Sequence, residues 1–165
     1  AQLVAYDTDA GNNIGRYGQI TINGSNMELP GDWSGETFII GYLYEMDIQL
    51  PTIYTTSTQG DKTRADTKAS LIIHRLKVNF GPVGVYETKL TRTGKADFTD
   101  LKELAVASGL AANRLPVLDE VQQTIPCYER NTNLKINIKS NHPSPATIFS
   151  YAWEGDYTNR FYRRV

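Results

Sequence analysis

The residue pattern predicts an all-β chain: an antiparallel β-sandwich or a partly closed barrel with one long polar loop. Two observations carry this. Apolar and polar residues alternate with period two along most of the 165 residues, as in strands with one face on a core and the other in water. Thirteen Gly and seven Pro punctuate that alternation, leaving eight or nine strand-like runs between turn signals.

Taken in order, Tyr17–Ile22 and Met27–Leu29 are short strand candidates. Phe38–Leu50 is the longest alternating run, with Phe38, Ile40, Tyr42, Tyr44, Met46, Ile48 and Leu50 on the face expected to be buried. Thr55–Ala69 is polar, Thr-rich and without an apolar period, so it reads as a long functional or disordered loop. Leu71–Phe80 alternates again, with Ile72, Leu76, Val78 and Phe80 opposite Arg75 and Lys77. Gly81-Pro82-Val83-Gly84 predicts a turn into Val85–Leu90, making 71–90 a hairpin. Leu101–Ser108 alone has a helical look, capped by Thr99 or Asp100 and stopped by Gly109. Leu115–Leu118 and Val121–Tyr128 follow, the latter an edge or bulged strand because Pro126 cannot donate to a ladder. Leu134–Lys139 is a half-buried strand, and Thr147–Trp153 is its expected partner across the breaker Asn141-His142-Pro143-Ser144-Pro145. The whole of 1–165 is expected to form a single β-rich domain.

Composition removes several function classes. The net charge of -1 argues against a dedicated nucleic-acid binder. The charges are nevertheless graded. Residues 1–61 hold eight acids and one base, residues 62–129 ten bases and eight acids, and residues 130–165 six bases and two acids. An acidic start and a basic end can attract each other within one chain or between copies. The longest apolar stretch, near Phe38–Tyr44, falls far short of the ~20 residues of a membrane-spanning helix. A lone cysteine excludes an internal disulfide framework and any multi-cysteine zinc site.

Chemistry-bearing motifs are weak. His74 lies mid-strand and reads as a packed or rim histidine, while His142 before Pro143 reads as a turn residue. Cys127, between Pro126 and Tyr128, reads as a small buried hydrophobe. The Asp7, Asp9, Asn12 and Asn13 cluster has the oxygen donors for a hard cation, and equally the composition of an Asx-rich turn. Gly11, Gly15 and Gly18 lack the strand and the G-K-[ST] of a phosphate loop. No catalytic residue, metal ligand or cofactor site is assigned. Aromatics and bases interleave only at the chain end, in Trp153, Tyr157, Arg160, Phe161, Tyr162, Arg163 and Arg164. Such a set can stack on single strands, but Tyr, Trp and Arg are also the usual anchors of protein interfaces. The near-zero net charge favours the interface.

Three stretches, in order and spacing, carry a resemblance: GYLYEMDIQLPTIY at 41–54, LIIHRLKVNFGPVGVYETKL at 71–90 and YAWEGDYTNRFYRRV at 151–165. Together they resemble the C-terminal part of the tail tubular protein B (tail nozzle) family of short-tailed, podovirus-type bacteriophages. The shared pattern is a Tyr-containing strand ending at Leu50-Pro51, a polar loop, and a Leu/Ile strand with basic residues. A further strand follows a Gly turn, and Trp153-Glu154-Gly155 with Tyr157 and terminal arginines closes the chain. The resemblance runs over residues 38–165 and is loose in 1–37 and 99–128. It implies a C-terminal fragment of a longer virion subunit, in keeping with a chain that opens at Ala1. It also implies self-association into a hexameric ring, contacts with tail adaptor and tail fibre proteins, and DNA only as passing cargo. The family pattern contains no catalytic residue or cofactor.

The expected function is therefore a structural component of a phage tail forming part of the DNA-ejection conduit. Two alternatives differ in class. A carbohydrate-binding module for host-surface recognition requires exposed coplanar aromatics, so buried Trp33 and Trp153 would count against it. A small glycosidase requires two close carboxyls with one pKa raised.

Overall fold

The computed structural model describes residues 2–8, 16–67, 69–102 and 118–158. The strands, in chain order, are β1 (Gln2–Asp7), β2 (Tyr17–Gln19), β3 (Thr21–Asn23), β4 (Asn26–Glu28), β5 (Phe38–Leu43), β6 (Met46–Gln49) and β7 (Thr56–Gln59). They continue as β8 (Lys62–Ala65), β9 (Ser70–Val83), β10 (Tyr86–Arg92), β11 (Phe98–Lys102), β12 (Val121–Arg130), β13 (Leu134–Ser140) and β14 (Ala146–Thr158). One 3-10 turn, Asn131–Asn133, joins β12 to β13. Among the described residues, all pairings between strands are antiparallel.

Two sheets share one core. The first has the order β12-β9-β14 and the second β11-β10-β13-β6. Leu71, Ile73, Leu76, Val78 and Phe80 of β9, with Ile125 and Cys127 of β12, meet Tyr86 and Leu90 of β10 and Leu134, Ile136 and Ile138 of β13. The Phe80 and Tyr86 rings lie 4.2 Å apart, joining the sheets beside the point where the chain crosses between them. Each fully buried side chain of this size contributes roughly 1.5–3 kcal/mol relative to exposure, so this cluster dominates the stability. Burial also pushes the Tyr86 phenol up to about 12, with the Asp100 carboxylate adding to it. The arrangement is a sandwich, and among the described residues no sheet closes into a barrel.

A third sheet, β2-β1-β5, has its own small core of Ala5, Ile20 and Trp33, flanked by Leu3, Leu29 and Phe38. The Trp33 indole N–H donates to the Pro30 carbonyl at 2.8 Å, and the Arg16 guanidinium caps its ring at 4.3 Å.

Six sequence expectations are corrected. The run 38–50 is not one strand. Its first half pairs with β1, and the last pair is Gln2 with Leu43. Its second half pairs with β13 in a different sheet. The face expected to be buried is therefore largely wet: Ile40, Tyr42, Tyr44 and Ile48 are all exposed.

The segment 71–90 is not a hairpin. β9 continues through Gly81 and Pro82 to Val83, and the chain then crosses to the other sheet at Gly84 and Val85. β13 and β14 likewise belong to different sheets, so 141–145 is a second crossing. The two crossings are tied together where the Gly84 N–H donates to the Pro145 carbonyl at 3.0 Å.

The polar stretch 55–69 is not featureless. β7 and β8 form a hairpin about Gly60-Asp61, and Gly60 takes a φ of 60°. A glycine first in a two-residue loop is what such tight hairpins require. Finally, the helix expected over 101–108 begins as strand, because Leu101 and Lys102 pair with Glu87 and Tyr86. The remainder of that segment and Gly109 lie outside the described residues.

The phase of β9 also differs from expectation. Leu71 and Ile73 point inward, then Leu76, Val78 and Phe80 do, while Ile72 is exposed. The step falls at His74. Against β14, Glu154 and Gly155 are consecutive while their partners Arg75 and Ile73 are not. Against β12, Cys127 and Tyr128 occupy the space of a single residue. Such bulges shift side chains to the opposite face. Pro126 stands at this irregularity, on an edge strand of its sheet.

Candidate assembly surface

Of the seven side chains expected to form an interface, the structure describes Trp153 and Tyr157, both on β14. Arg160, Phe161, Tyr162, Arg163 and Arg164 lie outside the described residues. Trp153 stands opposite Leu76 and packs, half-buried, against the sandwich core. Tyr157 stands opposite Leu71 and is exposed, its hydroxyl donating to Asp66 Oδ2 at 2.8 Å. That bond fastens the exit of the β7–β8 hairpin to the end of β14, and the Asp66 carboxylate raises the phenol pKa. The chain end thus begins from a strand already secured to the core.

β14 is an edge strand of 13 residues. It presents Phe149, 64% exposed, together with exposed Tyr151 and Tyr157. Long edges are ready templates for further strands. The outer face of its sheet is a polar ladder. Gln122 donates to Asn79, and Asn79 donates to Ser150, each at 2.9 Å. Arg75 and Lys77 of β9 both hold Glu154. His74 lies 3.1 Å from Asp156 and stacks against Tyr128, whose φ of 47° marks the bulge.

A second surface was not legible in the sequence. Where the chain steps from β5 to β6, it meets the 141–145 crossing. Between them lies a groove of 320 Å³ lined by Tyr42, Leu43, Tyr44, Met46, Pro143 and Ala146, with Glu45 and His142 at its polar side. An adjoining cleft of 180 Å³ adds Glu87 and Lys139. Tyr44 is 78% and Tyr42 54% exposed. The breaker at 141–145 and the pair Tyr42 and Tyr44 were both visible, but nothing in the pattern joined them.

The other residues weighed for chemistry have structural surroundings. Cys127 is buried, and burial pushes its thiol up to about 11. The His142 ring meets Tyr17 edge-on at 6.4 Å. Asp7 is buried on β1, whereas Asp9, Asn12 and Asn13 lie outside the described residues. Asp32, Asp47, Asp97, Glu129 and Glu154 are all shifted below the ordinary carboxylate range, chiefly by side-chain hydrogen bonds. A glycosidase acid needs the opposite shift. Among the described residues, no helix is long and apolar enough to cross a membrane.

An exposed aromatic strand edge and an aromatic groove, both on an antiparallel scaffold, define an all-β protein with two open aromatic surfaces. The chain belongs to the bacteriophage nozzle protein family, whose profile matches residues 2–164. No individual characterised protein matches it. That family membership makes this chain a structural component of the virion tail. The match also includes the N-terminal third, where the sequence resemblance was loose.

Proposed function

We propose that the chain forms part of the wall of the tail's DNA-ejection conduit, as one region of a longer subunit that associates with copies of itself in a ring, hexameric as the resemblance implies. Tail adaptor and tail fibre proteins are its other partners, and DNA is cargo passing through rather than a sequence read by the protein. Family membership carries this reading. The exposed edge of β14 and the open aromatic groove support it, since one chain leaves both with apolar surface in water.

The seven candidate interface residues keep their proposed role as the chain-end contact. Within it Trp153 acts as an anchor to the chain's own core. The carbohydrate-binding alternative has less support, because Trp33 is buried and Trp153 packs on the core, leaving no tryptophan platform.

Electron microscopy of the assembled subunit tests the proposal. Closed rings with an axial hole wide enough for duplex DNA are expected. A population of monomers or two-fold dimers at every concentration would overturn it.

A further inference from the structure

The groove between the β5–β6 step and the 141–145 crossing is aromatic and acidic together. Tyr42, Tyr44, Met46 and Pro143 supply apolar wall. Glu45 borders both the groove and the adjoining cleft, and Glu87 and Lys139 line the cleft. Lys139 is engaged by Asp47 at 2.8 Å. Three carboxylates, Glu45, Asp47 and Glu87, therefore surround one ammonium, and neither Glu45 nor Glu87 closes an ion pair among the described residues. A surface of this kind suits a segment bearing both guanidinium groups and rings. Arg stacks on Tyr faces and forks onto carboxylates.

One segment of the chain has that chemistry. Residues 159–165, Asn-Arg-Phe-Tyr-Arg-Arg-Val, hold three arginines, two aromatics and no acid. They lie outside the described residues, but their point of departure is known. β14 starts at Ala146, in the wall of the groove, and ends at Thr158, paired with Ser70 at the far end of β9. Its 13 residues carry the chain roughly 40 Å from the groove. The seven residues that follow reach at most about 25 Å when fully extended. Residues 159–165 therefore cannot reach the groove of their own copy.

We propose that residues 159–165 of one copy dock in the Tyr42 and Tyr44 groove of the next, with Phe161 and Tyr162 on the tyrosines and Arg163 and Arg164 facing Glu45 and Glu87. This contact rests on the self-assembly reading above and gives it a direction. Donor and acceptor surfaces differ, so the interface is head-to-tail, the type that generates rings when the rotation closes.

Two chains, each with one added cysteine, test it: Tyr44→Cys and Phe161→Cys, mixed under mild oxidation, with the native Cys127 buried and its thiol suppressed. A 44–161 disulfide between chains is expected from the mixture only. Glu45→Arg with Glu87→Gln in the acceptor should abolish the cross-link and weaken association, read by sedimentation, about tenfold. Arg163→Glu with Arg164→Glu in the donor should restore both. If the chains associate fully after deletion of 159–165, or if a doubly substituted chain closes the disulfide within itself, the docking is wrong while assembly stands. If the unmodified chain does not self-associate at any concentration, the assembly reading fails and this contact fails with it.

Discussion

Two glycines show how differently a missing side chain can matter. A methyl placed on Gly81 would strike the ring of Phe149, whereas one placed on Gly155 would strike the Ile72 carbonyl and the Ile73 Cα. Phe149 is an exposed side chain and can swing aside, but β9 is backbone locked in a ladder on both sides. Overpacking costs typically about 1–3 kcal/mol. Gly155→Ala should fall at the upper end and Gly81→Ala at the lower end, with the Gly81 cost vanishing in a Phe149→Ala background. Chemical denaturation of the four variants, Phe149→Ala alone included, measures this, and equal costs at the two glycines would contradict it. Cys127 gives a second test. With its thiol raised to about 11, it should react with a thiol reagent at pH 8 only through unfolding. Labelling should therefore follow the denaturant dependence of opening, and prompt labelling of native protein would refute this. That Cys127 is a small buried hydrophobe was legible from its flanking residues. The side of the strand His74 takes was not, because a bulge leaves no mark in an alternating pattern until its partner strands are known.

Period two was legible in almost every strand, but strand partners were not. The run 38–50 alternates in sequence without interruption across the step at Tyr44 and Glu45, although its two halves pair in different sheets. Gly81-Pro82 resembles a turn, yet Gly81 serves the close approach of Phe149, and the true crossing comes three residues later. Both crossings cost the sequence reading its hairpins, and with them the groove they build. Neighbouring strands are linked by the ion pairs of Glu154 with Arg75 and Lys77 and of Asp47 with Lys139, while the β10–β11 connection is held by Asp97 with Lys89 and by Lys95 with Glu129 of the other sheet. The lysine hydrogen bond is the main cause that lowers each carboxylate. A carboxylate lowered on folding stabilises the native state above its unfolded pKa, and that contribution is lost as pH falls through the folded value. Lys139, raised chiefly by Asp47, contributes below its unfolded pKa and loses this as pH rises through the folded one. Melting temperature should therefore fall below pH ~4 and again above pH ~10. Because these groups, Glu129 apart, are well exposed, high salt should shrink both slopes. Glu154→Gln should flatten the acid limb. An acid limb unchanged by salt and by that variant would assign it to buried groups instead.

Neutral in sum, the molecule is polar along its length. Eight acids against one base in residues 1–61 face six bases against two acids in residues 130–165. The sign of that gradient bears on how copies meet. A two-fold dimer makes each contact twice, residue i on j and j on i, so a patch meets itself only on the axis. An acidic patch centred there would face its own copy, and like charges directly opposed cost several kcal/mol. A head-to-tail contact places the basic end of one copy on the acidic third of the next, which attracts. Such attraction is screened over a Debye length of about 8 Å at physiological salt and about 3 Å at 1 M. The apolar contribution of Phe149, Tyr151 and the tyrosine groove is not weakened in this way. Association of the chain, measured by sedimentation, should therefore weaken several-fold between ~0.05 and ~0.5 M NaCl, mostly through slower encounter. It should then level off where apolar contacts remain. If association is indifferent to salt throughout, the gradient plays no part in it, and the exposed edge of β14 becomes the surface to mutate first, with Phe149→Lys and Tyr151→Lys expected to dissociate the copies.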